Sequence, residues 1–129
     1  MMSETARLCY GKYEKNSVLA LALEDQFPDN EGWSVVVRCY AALQLMNAYL
    51  LDKANVKLKL DAADHELRRK AMAQCPELRD APRKYRDLKE LSENIRYNPE
   101  FELTTIHRQE SKVLFAKIIA IVDAKIKKS

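Results

Sequence analysis

Residues 33–51, WSVVVRCYAALQLMNAYLL, are the longest apolar run of the chain, nineteen residues broken only by Ser34, Arg38, Gln44 and Asn47. Helical spacing places Val36, Tyr40, Leu43 and Asn47 on one line, with Val37, Ala41, Leu45, Ala48 and Leu51 close beside it. A helix that is apolar nearly all round is either a membrane span or the centre of a folded core. Arg38 and Asn47 would be costly in lipid, and the remaining sequence is far too polar for a membrane protein. The run therefore predicts the central helix, about residues 31–51, of a soluble bundle. Val36, Tyr40, Leu43 and Leu45 are expected inside it. Arg38 either snorkels to the surface or meets a buried carboxylate, and snorkelling is the expectation.

A chain of 129 residues is long enough for one core, so a single domain, 1–129, is expected. Two glycines and four prolines among many Ala, Leu, Lys, Glu and Arg favour helix over sheet. The net charge of +3 does not demand a nucleic-acid or lipid partner. Cys9, Cys39 and Cys75 lie about thirty residues apart, and no pair has the short spacing of a zinc site. Cys39, inside the apolar run, reads as a small core residue, and reduced thiols in a cytoplasm are expected. The N-terminus, MMSETARLCYGKYEKN, lacks the charged-then-apolar order of a signal peptide.

Along the chain, residues 5–24 read as a first helix with Ala6, Cys9, Tyr10, Tyr13, Ser17, Ala20 and Leu21 on one face. Gly11 costs about 1 kcal/mol there relative to Ala, which makes the first turns the weaker part. Pro28 stops a helix, and Asp29 or Asn30 suits the next cap. In residues 56–60, Val56, Leu58 and Leu60 alternate with lysines like a strand, but nothing is available to pair with them; an extended, docked loop is expected. Asp61 and Asp64 suit the start of a third helix to about residue 74. Pro76 and Pro82 can each open a helix. The fourth helix carries Tyr85, Leu88, Leu91, Ser92 and Ile95 and ends at Asn98-Pro99. Thr104 or Thr105 caps the last, with Leu114, Ile118 and Ile121 beside Phe115, Ile119, Val122 and Ile126. The fold class is thus all-α, a single-domain up-and-down bundle of about five helices.

Few residues suggest chemistry. On a helix, His65 shares a face with Arg68 and Arg69. A proton carrier beside fixed cations suits a phosphate; a solvated charged face has the same pattern. Arg96-Tyr97 can offer an anion contact and a stacking ring at a helix end, or an Arg bonded to its own last carbonyls above a packed Tyr97. Gln44 and Asn47 can form a polar slot or hydrogen-bond a neighbouring helix. His107, before Arg108, is expected to be exposed. No His or Cys set has metal-ligand spacing, no glycine-rich phosphate loop is present, and no cofactor is implied.

The segments GWSVVVRCYAALQLMNAYL, DHELRR and YRDLKELSENIRY together resemble the small prokaryotic proteins of the HEPN class (higher-eukaryote and prokaryote nucleotide-binding), which are bundles of four to five helices. The resemblance covers residues 27–97. Its most specific pieces are Trp33 with Tyr40-Ala41-Ala42, the His65-x-x-Arg68 pair, and Tyr85-x-x-Leu88 leading to Ser92 and Arg96-Tyr97. The class includes metal-independent ribonucleases, toxins of toxin–antitoxin pairs, partners of small nucleotidyltransferases and antiphage components, many of them dimers. The resemblance implies a polar site at His65, Arg68, Tyr85, Arg96 and Tyr97. Ribonuclease members carry a His four to six residues after an Arg. Here the positions after Arg96 hold Glu100, Phe101 and Glu102, and neither His65 nor His107 follows an Arg at that distance. Similar members also tend to have His where Gln44 stands. Both departures argue against RNA cleavage.

The expected function is a cytoplasmic, nucleotide- or RNA-associated accessory protein of a prokaryotic toxin–antitoxin or defence system. It would be homodimeric, with a nucleotidyltransferase or antitoxin as possible partner, and would hold phosphate through Arg68, Arg96, Tyr97, Tyr85 and Gln44. Two alternatives stand beside it: a metal-independent ribonuclease with a rearranged site using His65 as acid or base, and a helical module that only binds protein. One geometric expectation links the candidates. His65 and Arg68 should face Gln44 on the side of the bundle that Arg96 and Tyr97 close, because a buried amide needs partners.

Overall fold

The computed structural model describes residues 2–30, 32–53 and 65–127, the side chain of His65 excepted. The described residues form five α-helices that make the bundle: α1 (Glu4–Gln26), α2 (Trp33–Asp52), α3 (His65–Ala73), α4 (Ala81–Tyr97) and α5 (Thr105–Lys127), with a short 3-10 turn at Pro76–Leu78. The described residues contain no strand, so the all-α expectation holds. The strand-like stretch 56–60 and the proposed caps Asp61 and Asp64 lie outside the described residues.

α2 is the hub. It packs along α1 for most of its length and also meets α5, α4 and α3. It is long and apolar enough to cross a membrane, but its apolar surface is covered by its neighbours: Val35, Val36, Ala41, Ala42, Leu45, Met46, Ala48 and Leu50 are essentially inaccessible. The one-line reading of its inner face needs two corrections. Tyr40 is 44% exposed and Leu43 is half-buried, while Val35, Leu45 and Met46 are fully covered. Leu21 of α1, also expected inside, is 61% exposed.

Helix ends follow local chemistry. The Ser3 hydroxyl accepts the Ala6 N–H at 3.2 Å and starts α1, so the helix begins earlier than its apolar face suggests and runs unbroken through Gly11. α2 is capped by Gly32 in the left-handed conformation, φ 89°, not by Asp29 or Asn30. A Cβ at Gly32 would also come within 3.0 Å of Ile95 and Leu103, so the position excludes a side chain twice over. Asn30 works from behind the cap. Its Oδ1 accepts the Gly32 and Ser34 N–H groups at 3.0 and 3.3 Å, while its Nδ2 donates to the Phe27 carbonyl at the end of α1 at 3.0 Å. Pro76 and Pro82 open their helices as expected. Thr104 and His107 cap α5 reciprocally: Thr104 Oγ1 accepts the His107 N–H at 3.2 Å and His107 Nδ1 accepts the Thr104 N–H at 3.1 Å, the arrangement of a capping box. His107 is accordingly half-buried, with its ring 4.9 Å from that of Phe101.

Arg38 does not snorkel. It is 3% exposed, pairs with Glu24 of α1 and donates to Ser111 Oγ of α5 at 3.1 Å. Lys112 reaches the other oxygen of Glu24 at 3.0 Å. Burial alone would raise the Glu24 carboxyl, but Arg38 and Lys112 together hold it below the usual range. A second tie joins α1 to α5, where the Tyr10 hydroxyl donates to Asp123 Oδ1 at 2.6 Å and Lys127 meets Asp123 Oδ2 at 3.1 Å. Burial and the adjacent carboxylate push the Tyr10 phenol well above its ordinary value.

Leu45→Ala should destabilise the fold by about 2–5 kcal/mol, read as a fall in melting temperature on the order of 10 °C. Glu24→Gln should cost about 3–5 kcal/mol at neutral pH, since it leaves the Arg38 charge buried without its counter-ion. Glu24 has a lowered carboxyl, so its contribution is complete above the ordinary value of 4.5 and is lost as acid carries the pH down through the folded-state value. Urea melts of wild type and Glu24→Gln should therefore differ at pH 7 and converge in acid.

Candidate functional site

α3 crosses the outside of the bundle against α2 and α4. Arg68, the fourth residue of α3, is turned inward and only 4% exposed. Its Nε donates to Asn47 Oδ1 of α2 at 2.7 Å. Asn47 thus receives Arg68 where Gln44 was expected to; Gln44 is half-buried and makes no hydrogen bond among the described residues. The two positions are three apart on α2, and the amide on the line facing α3 is the one engaged. The position of the His65 side chain lies outside the described residues.

Between α3 and α4 lies an open groove of about 420 Å3. Met72, Ala73, Pro82 and Tyr85 supply its apolar floor and wall. Among the described residues its charged lining is Arg68 and Arg69 from α3, Arg83, Arg86 and Lys89 from α4, and one carboxylate, Glu66. Glu66 is bound to Arg69 on the rim at 2.6 Å, and that guanidinium holds its carboxyl below the usual range. Arg83, Arg86 and Lys89 form no ion pair among the described residues. Among the described residues the lining sets five cationic side chains against one carboxylate, where the whole chain's net charge is +3. The overall charge therefore conceals a concentrated positive face. Such a groove attracts and orients anions, and guanidinium groups suit phosphate oxygens.

Tyr85 lies buried at the groove floor. Burial raises its phenol well above the ordinary value, and the cations Arg68 and Arg96 act against that rise from either side. Arg96 itself belongs to the far end of the same face. Its Nη1 donates to Tyr40 Oη at 3.0 Å and to Tyr97 Oη at 3.2 Å. Since Tyr40 and Asn47 are seven residues apart on α2, they share a face at a separation of roughly 10 Å. The structure thus puts Arg68, Tyr85, Arg96 and Tyr97 on one side of the bundle, but along a line and not around a single pocket. Nearby, burial pushes the Cys39 thiol up to about 11, against the Ser92 hydroxyl and the cations Arg96 and Lys89. All three cysteines are unbridged and buried.

Arg83, Arg86, Lys89 and Tyr40 join this side of the bundle without having been among the expected site residues. The three cations recur at steps of three on α4, a signal that was legible; Tyr40 looked like core because it sits in an apolar run. No family model matches the chain, and no curated protein and no solved structure matches it.

Asn47→Leu should destabilise the protein by about 1–3 kcal/mol, because the Arg68 Nε–H then loses its acceptor in a buried setting. Thermal melts of Asn47→Leu beside Gln44→Leu should show the larger loss in the former.

Proposed function

We propose that the protein is a HEPN-like, nucleotide- or RNA-associated accessory protein of a prokaryotic toxin–antitoxin or defence system, cytoplasmic and homodimeric, that binds its ligand's phosphates without cutting the chain. The observation that carries this reading is the α3–α4 groove, whose lining among the described residues sets five cations against one carboxylate. Arg83, Arg86 and Lys89 stand at its edge with no ion-pair partner among the described residues, so their charge is available to an incoming anion. The helical bundle fits the resemblance, and the absent Arg-to-His spacing argues against cleavage. The physical role assigned to the site is retention of a phosphate-bearing ligand by charge-assisted hydrogen bonds, with Tyr85 and Met72 closing the apolar side.

Binding of single-stranded RNA and of nucleotides should weaken steeply with salt, log K falling with log salt at a slope of about 0.7 for each phosphate neutralised on a single strand. Arg83→Ala with Arg86→Ala should weaken binding at least tenfold at low salt and flatten that slope by about 1.4, as read by fluorescence anisotropy. An unchanged slope would remove the groove from the binding account. Purified protein should leave single-stranded RNA intact on a gel; cleavage abolished by His65→Ala would replace this reading with the nuclease one.

A further inference from the structure

Arg96 is held between two phenols that the fold leaves open. Its guanidinium carbon lies 4.8 Å from the Tyr97 ring centroid and 5.6 Å from that of Tyr40, and one nitrogen donates to both hydroxyls. This fixes the rings by cation–π contact and hydrogen bonding together. Tyr97 is nevertheless 71% exposed and Tyr40 44% exposed. The Arg96 guanidinium lies over one face of Tyr97, and with most of the residue in solvent the other face is open. Trp33, 54% exposed, lies two turns before Tyr40 on the same line of α2. Positioned, half-uncovered aromatic rings beside a cation are what an unpaired base stacks on.

The rings are connected to the groove by α4. Arg86, Lys89, Glu93 and Arg96 follow one another at steps of three and four, so they share one face. From Arg86 to Arg96 that face extends roughly 15 Å, against about 3.4 Å per nucleotide along a stacked strand. Several nucleotides fit along it. We infer that the α3–α4 face is a track for single-stranded nucleic acid, with phosphates in the cationic groove and a base stacked on Tyr97 beside Arg96 and Tyr40. The inference rests on the phosphate-binding reading above and narrows its ligand. A free phosphate would occupy the groove but leave the rings unused. A duplex would present no free base face to Tyr97. Glu93 stands exposed on the same face between Lys89 and Arg96, where its charge opposes a passing strand.

The test is anisotropy of the full chain with a labelled oligouridylate of about ten nucleotides, within the usual single-strand site size, beside an abasic strand of the same length and the matching duplex. Tyr97→Ala should weaken the oligouridylate about five- to a hundred-fold, the weight of one stacked base, leave the abasic strand unchanged, and leave the salt slope at the wild-type value. Tyr97→Trp should recover the loss. Glu93→Gln should tighten both strands, a gain that misfolding cannot imitate. If Tyr97→Ala binds oligouridylate as wild type does while Arg83→Ala with Arg86→Ala weakens it, the track is wrong and the phosphate groove stands. Equal binding of duplex and single strand also overturns the track. If wild type binds none of the strands at low salt, both readings fall. A deoxy strand run in parallel separates the two natural sources of this chemistry: preference for ribose assigns RNA, and equal binding assigns either sugar.

Discussion

A guanidinium with almost no access to water sits in the second turn of the most apolar helix, and the docking of three helices depends on satisfying it. Removing a charge from water costs several kcal/mol unless close partners compensate. Arg38 finds them on two other helices, the Glu24 carboxylate on α1 and the Ser111 hydroxyl on α5. An apolar interface tolerates sliding; a buried ion pair does not. The contact therefore fixes the level at which α1 and α5 meet α2, and Lys112 shares the Glu24 carboxylate from the outside. Asn47 plays the corresponding part near the other end of α2, where its amide oxygen receives Arg68 and sets where α3 lies. The few polar breaks in the apolar run act as register marks.

That arrangement has a consequence for the surface. With Arg68 drawn inward toward Asn47, Arg69 of α3 and Arg83, Arg86 and Lys89 of α4 line the groove beside it, and Tyr85 closes its floor. At the C-terminal end of α4, Tyr40 is too far round α2 to enter the core, so it meets Arg96 and Tyr97 in the open. One side of the bundle thus collects the positive charge and two exposed aromatic rings, although the chain as a whole is nearly neutral. Net charge averages over the surface, whereas a ligand meets only one face.

Much of the fold was legible in the residues. The apolar run gave the central helix, Pro76 and Pro82 opened the turns where they should, and the apolar spacing of α4 and α5 matches their buried faces at Leu88, Leu91, Leu114 and Ile118. The errors share one cause. A helical wheel describes a helix alone, and the neighbours decide which side is covered: Tyr40 and Leu21 lie on apolar faces that no neighbour closes, while Arg38 is charged yet buried because Glu24 and Ser111 lie within reach. Partners eighty or more residues away, such as Asp123 for Tyr10, leave no local pattern at all. The site was legible in its members and not in its layout. Arg68, Tyr85, Arg96 and Tyr97 share a side, but Asn47 takes the place given to Gln44, and the regularly spaced cations Arg83, Arg86 and Lys89 acquire a groove only because α3 lies beside them.

The central claim is that the α3–α4 face is where the protein meets its ligand. Amide chemical shifts recorded while a short single-stranded RNA is titrated into the labelled protein test it most directly. The account expects the shifted residues to concentrate from Arg68 to Ala73 on α3 and from Arg83 to Tyr97 on α4, with Tyr40 moving and the α1–α5 side around Tyr10 and Asp123 silent. Shifts centred on α1 and α5, with the groove residues unmoved, would contradict it.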